Sequence, residues 1–164
     1  MGLFEKIETV IMKQKAAYSG ILTCLLLWNA QAKAQAVARY HINSPILAGH
    51  GAAKEVLVTF DIDEPWYIYA PGGSNGALGQ VETSVEFSSS DIAQFGLAKF
   101  PVAKRKGSFT VFQQRAVIRV PFKVSQTAQP GSYRARGVVI YQVCKSDTCL
   151  PPKRDEVMLR LNVK

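Results

Sequence analysis

The stretch AVIRVPFKV, residues 116–124, alternates along its length and decides the fold class. One face carries Ala116, Ile118, Val120, Phe122 and Val124, and the other carries Val117, Arg119, Pro121 and Lys123. A period of two with one apolar face is typical of a β-strand that buries one side. Because proline cannot donate to a β-ladder, Pro121 predicts that this strand lies at a sheet edge or beside a break.

Segments on both sides of this strand also have β character. They are KEVLVTFDI at 54–62, WYIYA at 66–70, VETSVEF at 81–87, YRARGVVIYQVC at 133–144 and EVMLRLNV at 156–163. Turn residues separate them, as in PGGSNGALG at 71–79 and QPGS at 129–132. SSSDIAQFGLA at 88–98 instead predicts a short helical turn capped by a serine. The pattern predicts an all-β fold, an immunoglobulin-like antiparallel β-sandwich.

Residues 1–34 are predicted to be a signal peptide. A basic KQK at 13–15 precedes the apolar run AAYSGILTCLLLWNA at 16–30, and small residues follow it. The run is shorter than the roughly 20 residues of a transmembrane helix, so cleavage is expected rather than anchoring. Met12 is the more usual start than Met1, and Cys24 is expected to leave with the leader. The mature domain is then expected over residues 38–164, in the periplasm or secreted.

The charge of the chain is strongly positive. Its formal net charge of +8 falls to +6 without the leader, which carries four lysines and two glutamates. A basic exported domain can meet anionic lipid or an acidic partner, although a basic soluble surface is the simpler interpretation. Nucleic acid is not expected as a partner, since no binding motif is present. A monomer is the expected oligomeric state.

The stretch YQVCKSDTCLPP, residues 141–152, carries the two cysteines that remain after the leader, Cys144 and Cys149. It joins the last two predicted strands, so the pair is expected on an end loop. A metal site is disfavoured, because His41 and His50 are remote in sequence and structural zinc needs four ligands. A disulfide closing about six residues would stabilise the fold by about 2 kcal/mol. These residues alone do not decide between a structural disulfide and a redox couple.

The spacing Tyr141-Gln142-x-Cys144-x4-Cys149-x-Pro151-Pro152 resembles the N-terminal periplasmic domain of the DsbD family of thiol:disulfide interchange proteins. The aromatic WYIY at 66–69 supports this resemblance, which extends over residues 38–164. It implies a cysteine pair that relays electrons from a membrane-embedded reductase to periplasmic thioredoxin-fold proteins, as a cofactor-free component of a protein-disulfide reductase. Cys149 would be the nucleophile that forms the mixed disulfide, and Cys144 would resolve it as the Cys144–Cys149 disulfide.

The resemblance also implies an aromatic wall and a cap around the pair. Tyr67 and Tyr69 match the wall, although packing in the core is an alternative role for one of them. The cap is expected within residues 99–109, with Phe100 or Phe109 as the shield. The family has acidic residues in this cap, whereas this chain has Lys104, Arg105 and Lys106, so the partner stays open.

The sequence differs from the family in one further respect, and two alternative functions also fit the cysteine pair. Family members continue into a membrane domain and a thioredoxin-like domain, whereas this sequence stops at Lys164. It is expected either to receive its electrons from a separate membrane protein or to have lost the relay. One alternative is a redox-silent binding module with a structural disulfide, and the other is a copper-handling protein that uses the two thiols.

The glycine-rich loop at 71–79 lacks the Lys-Ser/Thr of a phosphate loop and is predicted to be a plain turn.

Overall fold

The computed structural model describes residues 37–164, which form an all-β domain. Its strands are β1 (Ala38–Ile42), β2 (Ile46–Ala48), β3 (Ala53–Ile62), β4 (Tyr67–Tyr69), β5 (Ser84–Phe87), β6 (Ala93–Phe95), β7 (Lys104–Lys106), β8 (Phe109–Phe112), β9 (Arg115–Val124), β10 (Gly131–Tyr141), β11 (Val143–Lys145), β12 (Thr148–Cys149) and β13 (Lys153–Val163). A 3₁₀ turn spans Gly76–Leu78. Within residues 37–164 no helix is long and apolar enough to span a membrane. The predicted signal peptide, Met12 start and Cys24 lie outside the described residues.

Two four-stranded sheets form the predicted sandwich. One has the order β1-β3-β9-β6 and the other β2-β13-β10-β5. Neighbouring strands are antiparallel, except that β2 runs parallel to β13. Their facing sides share one apolar core, which includes Val56, Val58, Phe60, Ile118, Val120, Val139 and Leu159, each 0% exposed. Burial of these side chains supplies the main driving force for folding.

Strand β9 confirms the predicted alternation but is not an edge strand. All five residues of its apolar face are buried, and β3 and β6 pair with its two sides. Pro121 accepts a hydrogen bond from the backbone N–H of Gly96 at 2.8 Å, just after β6 has ended. The missing N–H of Pro121 faces this interruption between β6 and the isolated Lys99–Arg119 bridge. The break was therefore predicted correctly, and the edge position was wrong.

The helical turn predicted within residues 88–98 is wrong. This segment contains strand β6, and its serines act as caps of a turn. The Ser90 hydroxyl accepts hydrogen bonds from the N–H groups of Ile92 and Ala93. The ring of Phe95 lies between Phe87 and Phe122, with centroids 5.4 and 5.3 Å away. Tertiary packing of this aromatic residue overrides the local preference for a helical turn.

A third sheet, with the order β12-β11-β4-β8-β7, lies at one end of the sandwich. Strand β4 follows β3, β8 precedes β9 and β11 follows β10, so the third sheet extends from both sandwich sheets. Tyr141 at the end of β10 packs on Phe60 near the end of β3, with ring centroids 5.2 Å apart, which shows that these ends meet. The sequence did not predict this sheet, whose strands are only two to four residues long.

The glycine-rich loop at 71–79 is a turn, as predicted, and its polar groups are satisfied internally. The Glu82 carboxylate accepts hydrogen bonds from the N–H groups of Gly72 and Gly76, at 3.2 and 3.1 Å. Asn75 is 0% exposed and donates to the carbonyls of Ala70 and Thr110, both at 2.7 Å. These bonds hold the loop against β8, which is a strand of the third sheet.

Candidate functional site

The two cysteines lie on a β-hairpin rather than on the predicted loop. Cys144 of β11 stands directly opposite Cys149 of β12, and Lys145 pairs with Thr148. Ser146 and Asp147 form the two-residue turn, in which Ser146 has a positive φ of 50°. Primed hairpin turns require such a φ. The KSDT sequence between the cysteines was the signal for this hairpin, although neither central residue is the glycine that usually marks one.

Cys144 and Cys149 form a disulfide whose two sulfurs have different surroundings. Their Cα atoms are 4.1 Å apart, as close as opposed residues of an antiparallel ladder come. Cys144 is 0% exposed and packs with Tyr67, Tyr69 and Val111. Cys149 is exposed on β12, the outermost strand of the third sheet. An incoming thiolate therefore reaches Cys149, while Cys144 is shielded.

Tyr67 and Tyr69 form one wall beside the pair. Both point to the same side of β4 because they are two residues apart, and both are 2% exposed. Their rings meet edge to face with centroids 5.6 Å apart. The Tyr67 hydroxyl donates to the Ser146 carbonyl at 3.1 Å, which ties the wall to the hairpin turn. Ile68 between them faces the main core instead.

The Tyr69 hydroxyl lies 3.9 Å from the Sγ atom of Cys149. A disulfide sulfur carries no hydrogen, so the phenol is the donor in this weak contact. Burial, with the neighbouring Tyr67 hydroxyl, raises the pKa of Tyr69 to about 12. The phenol therefore keeps its proton throughout the range in which a cysteine thiol ionises. It can stabilise a Cys149 thiolate by hydrogen bonding when the disulfide is open.

The structure brings Phe109 to the site but not Phe100. Phe109 packs on Tyr69, with ring centroids 5.4 Å apart, at the start of β8. Phe100 stacks on Phe112 at 6.3 Å and packs against the main core. The predicted cap region ends in the hairpin β7–β8, whose turn is Gly107–Ser108, with a φ of 62° at Gly107.

Two further residues near the pair make contacts that the sequence did not predict. Gln142 accepts a hydrogen bond from the Val81 N–H at 3.2 Å and donates to the Leu150 carbonyl at 3.3 Å. It thereby holds the chain that follows Cys149. Trp66, just before the tyrosine wall, lies under the Lys145 ammonium, which is 5.8 Å from the ring centroid. Gln142 belongs to the YQ motif and Trp66 to the WYIY motif. The contacts of both residues depend on the third sheet, which the sequence did not predict.

The chemistry available at this site is that of the two sulfurs. They can exist as a disulfide or as two thiols, and the exposed one can form a mixed disulfide with another chain. Residues 37–164 contain no group of three or more His, Cys, Asp or Glu side chains that could hold a metal ion.

Fold and site together define a β-sandwich domain that carries an asymmetrically buried cysteine pair at one end. The family model described as thiol:disulfide interchange protein DsbD, N-terminal, matches residues 33–161, and the chain belongs to this family. The fold is similar to the crystal structure of the Neisseria meningitidis DsbD N-terminal domain in the reduced form. That match has 21% identity and a TM-score of 0.50, and it covers 77% of this chain and 86% of that one.

A second solved structure, the N-terminal periplasmic domain of ScsB from Proteus mirabilis, is less similar. It shows 14% identity and a TM-score of 0.42, covering 76% of this chain and 45% of that one. No curated protein matches this chain.

Proposed function

We propose that this domain carries electrons by thiol:disulfide exchange, with Cys149 as the attacking sulfur and Cys144 as the resolving one. The observation that carries the proposal is the asymmetry of the pair, in which Cys149 is exposed and Cys144 is 0% exposed. A carrier needs one sulfur that a partner can reach and a second that reaches only the first. Membership of the DsbD N-terminal family supports this assignment.

The exchange proceeds in two steps from the reduced domain. The Cys149 thiolate attacks a sulfur of the partner's disulfide, forms a mixed disulfide and releases one partner thiolate. The Cys144 thiolate then attacks the Sγ atom of Cys149, restores the internal disulfide and releases the second partner thiolate. Two electrons pass from the domain to the partner. Because the two cysteines already face each other across the hairpin, the second step needs no rearrangement of the ladder.

The proposed relay places the domain in the periplasm, behind a cleaved leader spanning residues 1–34. A membrane-embedded reductase supplies the electrons, and periplasmic thioredoxin-fold proteins receive them. The aromatic wall of Tyr67 and Tyr69, with Phe109 above Tyr69, shields the inner sulfur from other thiols. These assignments rest on family membership and on the arrangement of the pair.

The first test separates the two sulfurs. Reduced mature domain is exposed briefly to iodoacetamide under native conditions, and the site of alkylation is located by mass. We expect Cys149 to react first. Cys144→Ser is expected to accumulate a stable mixed disulfide with oxidised glutathione through Cys149, whereas Cys149→Ser is expected to accumulate little.

Two outcomes would contradict the proposal. If both cysteines stayed unreactive until the domain was unfolded, the disulfide would be structural and the domain a redox-silent binding module. If Cys144 reacted as fast as Cys149, the assignment of attacking and resolving roles would be wrong. A double variant with both cysteines replaced controls for labelling of other side chains.

A further inference from the structure

The surface beside the cysteine pair carries an excess of positive charge. Residues 99–109 contain four basic residues and no acidic one. Strand β7, with the sequence Lys104-Arg105-Lys106, is exposed along its whole length and forms one edge of the third sheet. Lys145, next to Cys144, is exposed on β11, between β4 and the edge strand β12 of the same sheet. These four residues, Lys104, Arg105, Lys106 and Lys145, are called the basic rim below.

Aromatic rings of the site hold two of the rim ammonium groups in place. The Lys106 Nζ atom lies 5.3 Å from the ring centroid of Tyr67, and the Lys145 Nζ atom lies 5.8 Å from that of Trp66. Cation–π contacts of this kind fix the position of a charge without neutralising it. Tyr67 also donates to Ser146 of the cysteine hairpin, so the charges are anchored to the hairpin itself.

The acidic side chains near the site leave the rim unneutralised. Among residues 37–164, none of the rim cations has a carboxylate within 4.0 Å; the ion pairs present are Arg39–Asp63, His41–Asp61 and Arg119–Glu55. Asp155 accepts a hydrogen bond from Tyr40, and Glu64 accepts one from Gln114. Asp147 lies in the hairpin turn between the two cysteines.

A small groove lies beside Lys104 and Lys106 of the basic rim. It has a volume of about 190 Å³, and its lining includes Trp66, Lys104 and Lys106, with Glu64 as its acid. Two lysines against the single carboxylate of Glu64 leave the groove with a net positive charge, and ammonium groups form strong hydrogen bonds with carboxylates. The groove therefore offers a place for an acidic side chain of a docked protein.

We propose that the basic rim selects redox partners whose own disulfide is surrounded by acidic side chains. This inference rests on the proposed exchange at Cys149. Opposite charges around the reacting sulfurs steer the encounter and raise the association rate, and like charges suppress wrong partners. A protein is favoured over an anionic lipid surface as the occupant, because a membrane seated on the rim would cover the exposed sulfur that the exchange requires.

Small disulfides of different charge test the rim without a known partner. The reduced domain reacts with oxidised glutathione, which is anionic, with cystamine, which is cationic, and with hydroxyethyl disulfide, which is neutral. In each case the domain forms its internal disulfide and the probe is reduced to two thiols. Dividing each rate by that for the neutral probe removes any change in thiolate reactivity, so that the ratio reports local charge alone.

We expect the rate ratio of oxidised glutathione to cystamine to fall at least about threefold in the variant Lys104→Gln/Lys106→Gln/Lys145→Gln. The ratio of the unmodified domain should also fall as salt is raised. The matched control is Lys54→Gln/Lys123→Gln/Lys164→Gln, which removes the same charge from the opposite end of the sandwich. The rate ratio of this control should stay within about 1.5-fold of that of the unmodified domain, because its three replaced lysines lie farther from the cysteine pair than the screening distance.

Each outcome has one interpretation. A ratio that falls in the rim variant and not in the control supports the inference. Equal ratios in all three proteins, with normal reaction of the neutral probe, would overturn the rim's role while leaving the proposed function intact. Failure of the domain to react with any probe would overturn the exchange itself. If the ratio were unchanged but the rim variant lost binding to phosphatidylglycerol vesicles, the rim would be a lipid site and the inference would be wrong.

Discussion

At the scale of single residues, the hydroxyl of Tyr69 is the side-chain group that the structure places against the reactive sulfur. It lies 3.9 Å from the Sγ atom of Cys149, and its raised pKa, about 12, keeps it a donor. A donor near a thiolate favours the charged form and lowers the pKa of the thiol. The proposed exchange therefore assigns Tyr69 a chemical role as well as a packing role.

Replacing Tyr69 by phenylalanine should make Cys149 a weaker nucleophile at neutral pH. In a Cys144→Ser background, the pKa of Cys149 is measured from the pH dependence of its alkylation by iodoacetamide. Tyr69→Phe is expected to raise this pKa by about half a unit, because one weak hydrogen bond to the thiolate is lost. Tyr133→Phe, at the other end of the sandwich, is the matched control and should leave it unchanged. An unchanged pKa in Tyr69→Phe would show that the contact has no influence on the sulfur.

Buried tyrosines also make the stability of the domain depend on alkaline pH. Burial raises the pKa of Tyr40, of Tyr69 and of Tyr141, and Asp155 adds to the increase at Tyr40 and Tyr141. Because the pKa is raised, the folded state holds the phenol proton more tightly than the unfolded state does. The stabilisation from these groups is therefore fully present at pH values below the unfolded pKa of about 10. That contribution is lost as pH rises from 10 through the folded value, about 12 for Tyr69.

The free energy of unfolding, measured with urea at several pH values, should therefore decline above about pH 10. Tyr69→Phe should reduce the steepness of this decline, because phenylalanine has no proton to lose. A decline equally steep in Tyr69→Phe and in the unmodified domain would show that another group controls it.

Alternation along the sequence accounts for the shared face of Tyr67 and Tyr69, whereas the positions of other aromatic residues depend on three-dimensional packing. Tyr67 and Tyr69 share a face because they are two residues apart on a strand, which the sequence already contains. Phe100 and Phe109 could not be separated in the same way. Only the three-dimensional pairing places Phe109 on Tyr69 and stacks Phe100 on Phe112.

At the scale of elements, the long strands were predictable and the third sheet was not. Strands β9 and β13 carry a clear alternation over ten and eleven residues. Strands β4, β7 and β11 have three residues each, too few for a periodic pattern to stand out. The cysteine pair and its aromatic wall lie on the short strands of the third sheet, so the sequence identified the pair but not its surroundings.

Gly137 in the middle of β10 tests the packing of the second sandwich sheet. A Cβ atom at this position would lie 2.6 Å from a Phe87 ring carbon and 2.8 Å from the Glu86 carbonyl oxygen. Gly137→Ala is therefore expected to destabilise the domain by about 1–3 kcal/mol, because the backbone of β5 has to move. The loss is measured as a lower free energy of unfolding in urea.

Gly131→Ala in the same strand is the matched control. Its Cβ atom would meet nothing closer than 3.6 Å, in ordinary contact with Tyr133, so the free energy of unfolding should change by less than about 0.5 kcal/mol. Equal losses in the two variants would mean that the effect is one of backbone propensity and that the close approach to Phe87 is relieved at no cost.

At the scale of the whole molecule, we expect the sandwich to stay folded when its disulfide is reduced. Strands β10 and β13 pair over eleven positions within the sandwich, and the cysteine hairpin begins only after this ladder has ended. The disulfide closes a short hairpin with a sequence separation of 5, which adds only about 2 kcal/mol. A bond that contributes so little to the fold can open and close without unfolding the domain, as an electron carrier requires.

The reduction potential of the Cys144–Cys149 pair tests this account most directly. The mature domain is equilibrated in graded thiol/disulfide buffers, and its free thiols are counted by mass after alkylation. We predict a potential above about −250 mV, in the range of proteins that exchange disulfides, with both states folded. A potential below about −300 mV, with a bridge that resists reduction until the domain unfolds, would make the disulfide structural and contradict the proposed function.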